Sequence, residues 1–137
     1  MGTPLETLYT RVFSKLDEDL TGKESLIFAL VDTAIARVYK TVRHSLSYTL
    51  TDLETYDGYF TETLDDDELE LLAWHIVYAW DFREKQRLVK QRDYVGTPDF
   101  NRLPDKKTNL AVVESTLKTA ENEIAKLTND FNTYKYT

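Results

Sequence analysis

The run Leu110-Ala-Val-Val-Glu-Ser-Thr-Leu-Lys-Thr-Ala-Glu-Asn-Glu-Ile-Ala-Lys-Leu-Thr-Asn-Asp-Phe-Asn-Thr-Tyr134 decides the fold class. Its apolar positions Leu110, Val113, Leu117, Ala120, Ile124, Leu127, Phe131 and Tyr134 recur at alternating steps of three and four, which keeps one narrow stripe aimed at a neighbouring helix. A helix of this length needs other helices to cover it, and the chain upstream supplies them. A third long helix is predicted from the capping pair Asp65 and Glu68 to about Tyr94, roughly 43 Å if continuous. Leu69, Leu72, Ala73, Ile76, Val77 and Trp80 give its first half an apolar side, and Trp74, Tyr78 and Phe82, four residues apart on another side, read as core. Its second half, Arg83 to Arg92, is basic and is expected to project.

Two more helices precede it. Thr3 as cap, Pro4 at the first helical position and Glu6 three residues after the cap predict a start there and a run to about Leu20. Thr21 and Glu24 repeat the cap spacing, so a second helix should run from near Lys23 to about Arg43. The apolar stripe of this second helix is wide enough to make it the hub of the bundle. Ser45 to Thr51 alternates as a half-buried strand would, yet Leu46, Leu50 and Leu53 also fit helical spacing, and Asp57-Gly58 is a turn signal. The reading favoured for residues 45–63 is helix followed by loop, with a hairpin as the alternative. Gly96, Pro98 and Pro104 bracket an irregular connection, after which the last helix starts near Asp105 or Lys106.

Four Gly and three Pro in 137 residues are too few for the many tight turns of an all-β sandwich, and the length suits one core. The expected fold is therefore all-α: a single helical domain over residues 1–137, a four-helix-type bundle with long third and C-terminal helices. Residues 133–137 form a short extended C-terminal tail, and the heptad seam closes the bundle against the first two helices.

The chain has no cysteine, which removes disulfides, thiolate nucleophiles and sulfur-ligated zinc. No stretch approaches the roughly 18 apolar residues of a membrane span, so no membrane partner is expected. Asp65, Asp66, Asp67, Glu68 and Glu70 lack the ligand spacing and sharp-turn Gly of a calcium loop, and acids bunched ahead of an apolar helix are what the helix dipole favours. His44 and His75 sit in no two-ligand pattern, and Ser45 and Ser47 near His44 have no orienting acid in sequence. No Gly-rich phosphate loop is present. No catalytic residue, metal site or cofactor is expected, and the chain does not read as an enzyme.

Charge is the more informative property. Of a net −7, ten acidic residues and no Lys or Arg fall between Asp52 and Asp81, while from Arg83 to Lys107 eight basic residues face four acidic ones. Arg83, Lys85, Arg87, Lys90 and Arg92 suit contact with protein or solvent better than contact with nucleic-acid phosphates.

Leu64-Asp-Asp-Asp-Glu-Leu-Glu-Leu-Leu-Ala73, Trp80, Asp99-Phe100, Asn109-Leu110 and Tyr134-Lys-Tyr136 together resemble the head-to-tail connector, or neck adaptor, proteins of tailed bacteriophages. The resemblance covers roughly Leu64 to Tyr136, about half the chain. It implies a helical virion subunit, assembled in the host cytoplasm, that forms a twelve-fold ring in the neck, docks to the portal protein and presents a platform to the adjacent neck or tail protein. In such a ring Asp65, Asp66, Asp67, Glu68 and Glu70 would be the acidic side of an inter-subunit contact. Arg83, Lys85, Arg87, Lys90 and Arg92 would face either a neighbour's acids, the preferred reading, or DNA in the channel. Tyr134, Lys135 and Tyr136 would anchor the tail on the portal. The alternative is a monomeric acidic helical binding protein, an inhibitor or nucleic-acid mimic.

Overall fold

The computed structural model describes residues 2–16, 24–42 and 45–135, and for 104–108 and 134–135 the backbone alone. In order, the chain forms α1 (Leu5–Leu16), α2 (Glu24–Val38), β1 (Tyr48–Asp52), β2 (Asp57–Phe60), α3 (Asp66–Val95), α4 (Thr97–Asn101) and α5 (Pro104–Asp130), then a π-helical turn over Phe131–Lys135. The predicted reach of the first helix to Leu20, the Thr21 cap, the Arg43 helix end, His44, Tyr136 and Thr137 lie outside the described residues.

The molecule is mostly helical but not all-α, because Tyr48 to Phe60 is an antiparallel hairpin rather than helix and loop. Period-two alternation prevails here. Leu46 is buried and Tyr48 and Leu50 are partly buried against the core, while Ser45, Ser47, Thr49 and Thr51 face out. The β-branched threonines favour the strand, and the Ser47 carbonyl accepts from the Thr61 amide at 2.9 Å, extending the ladder. Asp57-Gly58 is not the turn. Gly58 lies inside β2, where a Cβ would come within 2.2 Å of the Thr49 carbonyl oxygen, so glycine serves close strand approach. The turn falls at residues 53–56 and closes through Tyr56, whose φ of 61° is held by a hydrogen bond from the Tyr9 hydroxyl to its carbonyl, 2.8 Å.

The N-terminal segment completes this corner. Gly2 donates to the Phe60 carbonyl and Phe60 donates to the Thr3 carbonyl, at 3.1 and 2.7 Å, and Pro4 bridges Tyr59, so the segment covers the outer edge of β2. Thr3 consequently does not cap α1. Its hydroxyl accepts instead from the Leu64 amide at 2.8 Å.

The hub is α3, not the second helix. Leu71, Leu72 and Ala73 are consecutive and all buried, which at about 100° per residue requires cover over more than half of the helix circumference. That cover comes from α1, α2 and α5, each packed on α3. From α2 only Ile27, Val31, Ala34 and Val38 are buried, a single stripe, and Leu26 and Tyr39 remain exposed. The heptad seam therefore meets α3, not the first two helices. Running antiparallel, α5 sets Leu110 beside Leu88 and brings Ala120 and Phe131 into the main core. Ala120, fully buried, lets the two helices approach closely.

Beyond Trp80 the partners of α3 change, and the basic half does not project alone. Leu88, Phe100 and Leu110 form a second, smaller cluster flanked by Val89 and Val113, so the second half of α3, α4 and the first half of α5 make an arm with its own core. The connection expected to be irregular contains α4, which buries Phe100. Gly96, at φ 86°, turns the chain between α3 and α4 and donates to the Arg92 carbonyl at 2.8 Å. At the other end, residues 133–135 continue as a π-turn instead of an extended tail, because buried Phe131 holds this segment on the core.

The separate cores make a testable prediction. Phe100→Ala should destabilise the arm by about 3 kcal/mol and be read as faster amide hydrogen exchange confined to the second half of α3, α4 and the first half of α5. Equal acceleration in α1 and α2 would show that arm and body open as one unit.

Candidate functional site

The acidic run is spent largely on the protein itself. Asp65 is the N-cap of α3 and Glu68 closes a full capping box: the Asp65 carboxylate accepts from the Glu68 amide at 2.9 Å and the Glu68 carboxylate from the Asp65 amide at 3.1 Å. At 4% exposure Glu68 has no free surface to offer a neighbouring subunit. Asp66 and Glu70 bind Arg11 of α1 at 2.7 and 2.8 Å, and Glu70 also takes Lys15 at 2.8 Å. Partial burial alone would raise the Glu70 pKa, but the hydrogen bonds from Lys15 and Arg11 outweigh it and hold the carboxyl below its usual range. These contacts fasten α1 to α3. Of the five acids expected at an inter-subunit contact, Asp67 is left exposed and without such a role.

Trp74, Tyr78 and Phe82 continue the same ridge of α3; Trp74 and Tyr78 are partly buried and pack against the main core, while Phe82 is exposed and not core. Lys15 lies over Trp74 at 5.2 Å, Arg37 over Tyr78 at 5.9 Å, and Tyr78 stacks on Phe82. Trp80, on the neighbouring face, is buried. His75 is next to this ridge. Its Nδ1 is buried without a hydrogen-bond partner, and burial, with the nearby Arg37 charge, pushes its pKa down to about 4.

The basic residues lie along the arm. Arg87 pairs with Glu84 at 2.8 Å and Arg92 approaches Asp93 at 4.0 Å, while Arg83, Lys85 and Lys90 have no ion pair among the described residues. Arg83, Arg87 and Lys90 follow the i, i+4, i+7 rule and so share one face leading to the tip. There an apolar groove of about 460 Å³ opens between α3 and α4, lined by Arg87, Lys90, Gln91, Tyr94, Val95, Phe100 and Leu103. Tyr94, 92% exposed, stands at its edge, and Val95 and Leu103 are exposed beside it.

The opposite end of the molecule is acidic. A concavity of about 490 Å³ between α1, α2 and the hairpin turn is lined by Glu6, Tyr9, Thr10, Phe13, Glu24, Glu54, Thr55 and Asp57. Its four carboxylates make no ion pair among the described residues. Burial first, then the charges of Asp57 and Glu24, push the Tyr9 hydroxyl pKa well above its ordinary value, as expected for a negative pocket. Leu53, between Asp52 and Glu54, caps this end at 77% exposure. No group of His, Asp or Glu among the described residues is arranged to hold a metal ion, and none of their helices is long and apolar enough to cross a membrane.

Sequence reasoning located the two charge regions but missed both apolar features at the ends. The signals were present: Leu53 is flanked by acids in a turn, and Tyr94-Val95 follows a basic run. Of the expected tail anchor, the side chains of Tyr134 and Lys135 are not described and Tyr136 lies outside the described residues.

His75 gives a pH prediction. In the folded chain it titrates near 4 and in the unfolded chain near its ordinary 6.5, so the unfolded chain takes up the proton first. The contribution of the neutral ring is complete above pH 6.5 and is lost as pH falls towards 4. The urea midpoint of the parent should drop across this window, and that of His75→Leu should drop less; parallel curves would contradict the assignment.

No family model, curated protein or solved structure matches the chain.

Proposed function

We propose that this chain is a structural subunit of a tailed-bacteriophage neck, a head-to-tail connector whose copies form a ring on the portal protein and receive the adjacent neck or tail protein. In this reading its work is contact between proteins and not catalysis; it is assembled in the host cytoplasm and retained in the virion. The observation that carries the reading is the pair of unlike ends: an acidic body with an exposed Leu53 and a basic arm with an apolar tip groove. A closed ring needs two different, complementary surfaces on each subunit, and the two unlike ends support that reading. Of the residues that resemble neck adaptors, those from Leu64 to Trp80 lie in the body at the first half of α3, and Asp99, Phe100, Asn109 and Leu110 lie in the arm on α4 and α5.

Twelve copies match the symmetry the resemblance implies, with the arm's basic face turned to a neighbour and contact with channel DNA as the secondary possibility. The mimic alternative is weaker, because Asp66 and the partly buried Glu70 are paired with Arg11 and Lys15 of the same chain.

Purified rings of the cognate portal protein that this reading requires supply the test. Added to them, the purified chain should bind as a symmetric layer of copies, seen in averaged electron micrographs and as a defined mass increment. No binding at micromolar concentrations would overturn the proposal.

A further inference from the structure

The arm-tip groove and the hairpin turn are complementary in polarity and charge. The groove is an apolar hollow floored by Phe100, with Val95 and Leu103 at its sides and Arg87 and Lys90 at its rim. Lys90 is exposed and has no acid partner among the described residues. The turn presents one apolar side chain, Leu53, between two carboxylates, with no cation anywhere from Asp52 to Asp81. It is also held in shape before any partner arrives. The Asp52 carboxylate accepts from the Glu54 amide at 2.8 Å, and Tyr9 fixes the Tyr56 carbonyl at 2.8 Å. A preformed knob loses little freedom on docking.

We infer that Leu53 of one copy of this chain seats in the arm-tip groove of a second copy, with Asp52 and Glu54 set against Lys90 and Arg87. The contact cannot form within one chain. Arg11 and Lys15 place α1, and with it the turn bonded to Tyr9, beside the start of α3, whereas the groove lies at its far end, about 40 Å along the axis. Knob and groove are different surfaces, so the contact is heterologous, and repetition gives a ring if the rotation closes. The inference deepens the connector reading and rests on it, by naming the residues through which neighbouring subunits join.

The chain has no cysteine, so single replacements report contacts directly. Leu53→Cys and Leu103→Cys proteins, mixed in equal amounts on portal rings and oxidised, should give the 53–103 disulfide dimer in at least fivefold excess over either homodimer. Glu54→Lys and Lys90→Glu should each weaken association at least tenfold. The double variant, which restores opposite charges at every contact, should recover most of it. Rings of unchanged mass that lack the 53–103 cross-link, or a double variant no better than the singles, would overturn this contact and leave the connector reading standing. A chain that stays monomeric at every concentration and does not bind portal would overturn the connector reading, and this inference with it.

Discussion

Leu71, Leu72 and Ala73 are consecutive residues of one helix and all are buried, which at about 100° per residue is met only where more than half of the helix circumference is covered. The rest of the structure depends on it. α1 is fastened to one side by the Arg11, Lys15, Asp66 and Glu70 ion pairs, α2 covers another with Ile27, Val31, Ala34 and Val38, and α5 lays its heptad seam along the remainder. The cost of ordering 30 residues in a single helix is offset over its first half by this surrounding core, and over its second half by the small cluster at Leu88, Phe100 and Leu110.

A helix that long separates what lies at its two ends, and this separation turns an uneven charge sequence into a functional geometry. Four of the acids at the start of α3 are engaged within the chain, Asp65 and Glu68 in the cap and Asp66 and Glu70 in the ties to α1. Among the acids with no ion pair in the described residues, Glu6, Glu24, Glu54 and Asp57 gather around the hairpin turn. The cations gather on the arm. Unlike charges held apart on a rigid support do not neutralise one another within the molecule and remain available to other copies.

The helical elements were legible in the sequence where local chemistry is strong. The capping box at Asp65 and Glu68 marks the start of α3, and the three-four alternation after Leu110 marks α5 as a helix with one narrow partner. Which helix is that partner was not legible, because a seam specifies a stripe and not its complement. The true hub, α3, shows an apolar side in its first half and a basic run in its second, so the second helix, with the wider apolar stripe, looked more central. The hairpin was obscured because Leu46 and Leu50 fit both periods and Leu53 extends the helical one, and a glycine needed for close strand approach at Gly58 resembled one needed for a turn. The arm-tip groove depends on α4 folding back through Gly96, a tertiary event that no local pattern reports.

The central claim is that α3 is one continuous, rigid helix holding two unlike ends apart. Spin labels at cysteines replacing exposed Asp67 and Tyr94, 27 residues apart, measure this directly by pulsed dipolar spectroscopy on labelled chains diluted with unlabelled protein. The account predicts a single narrow distance distribution centred near 40 Å, give or take the label arms, as ~1.5 Å per residue requires. A broad distribution, or one centred well below 30 Å, would mean that the helix breaks or bends between body and arm, and would contradict it.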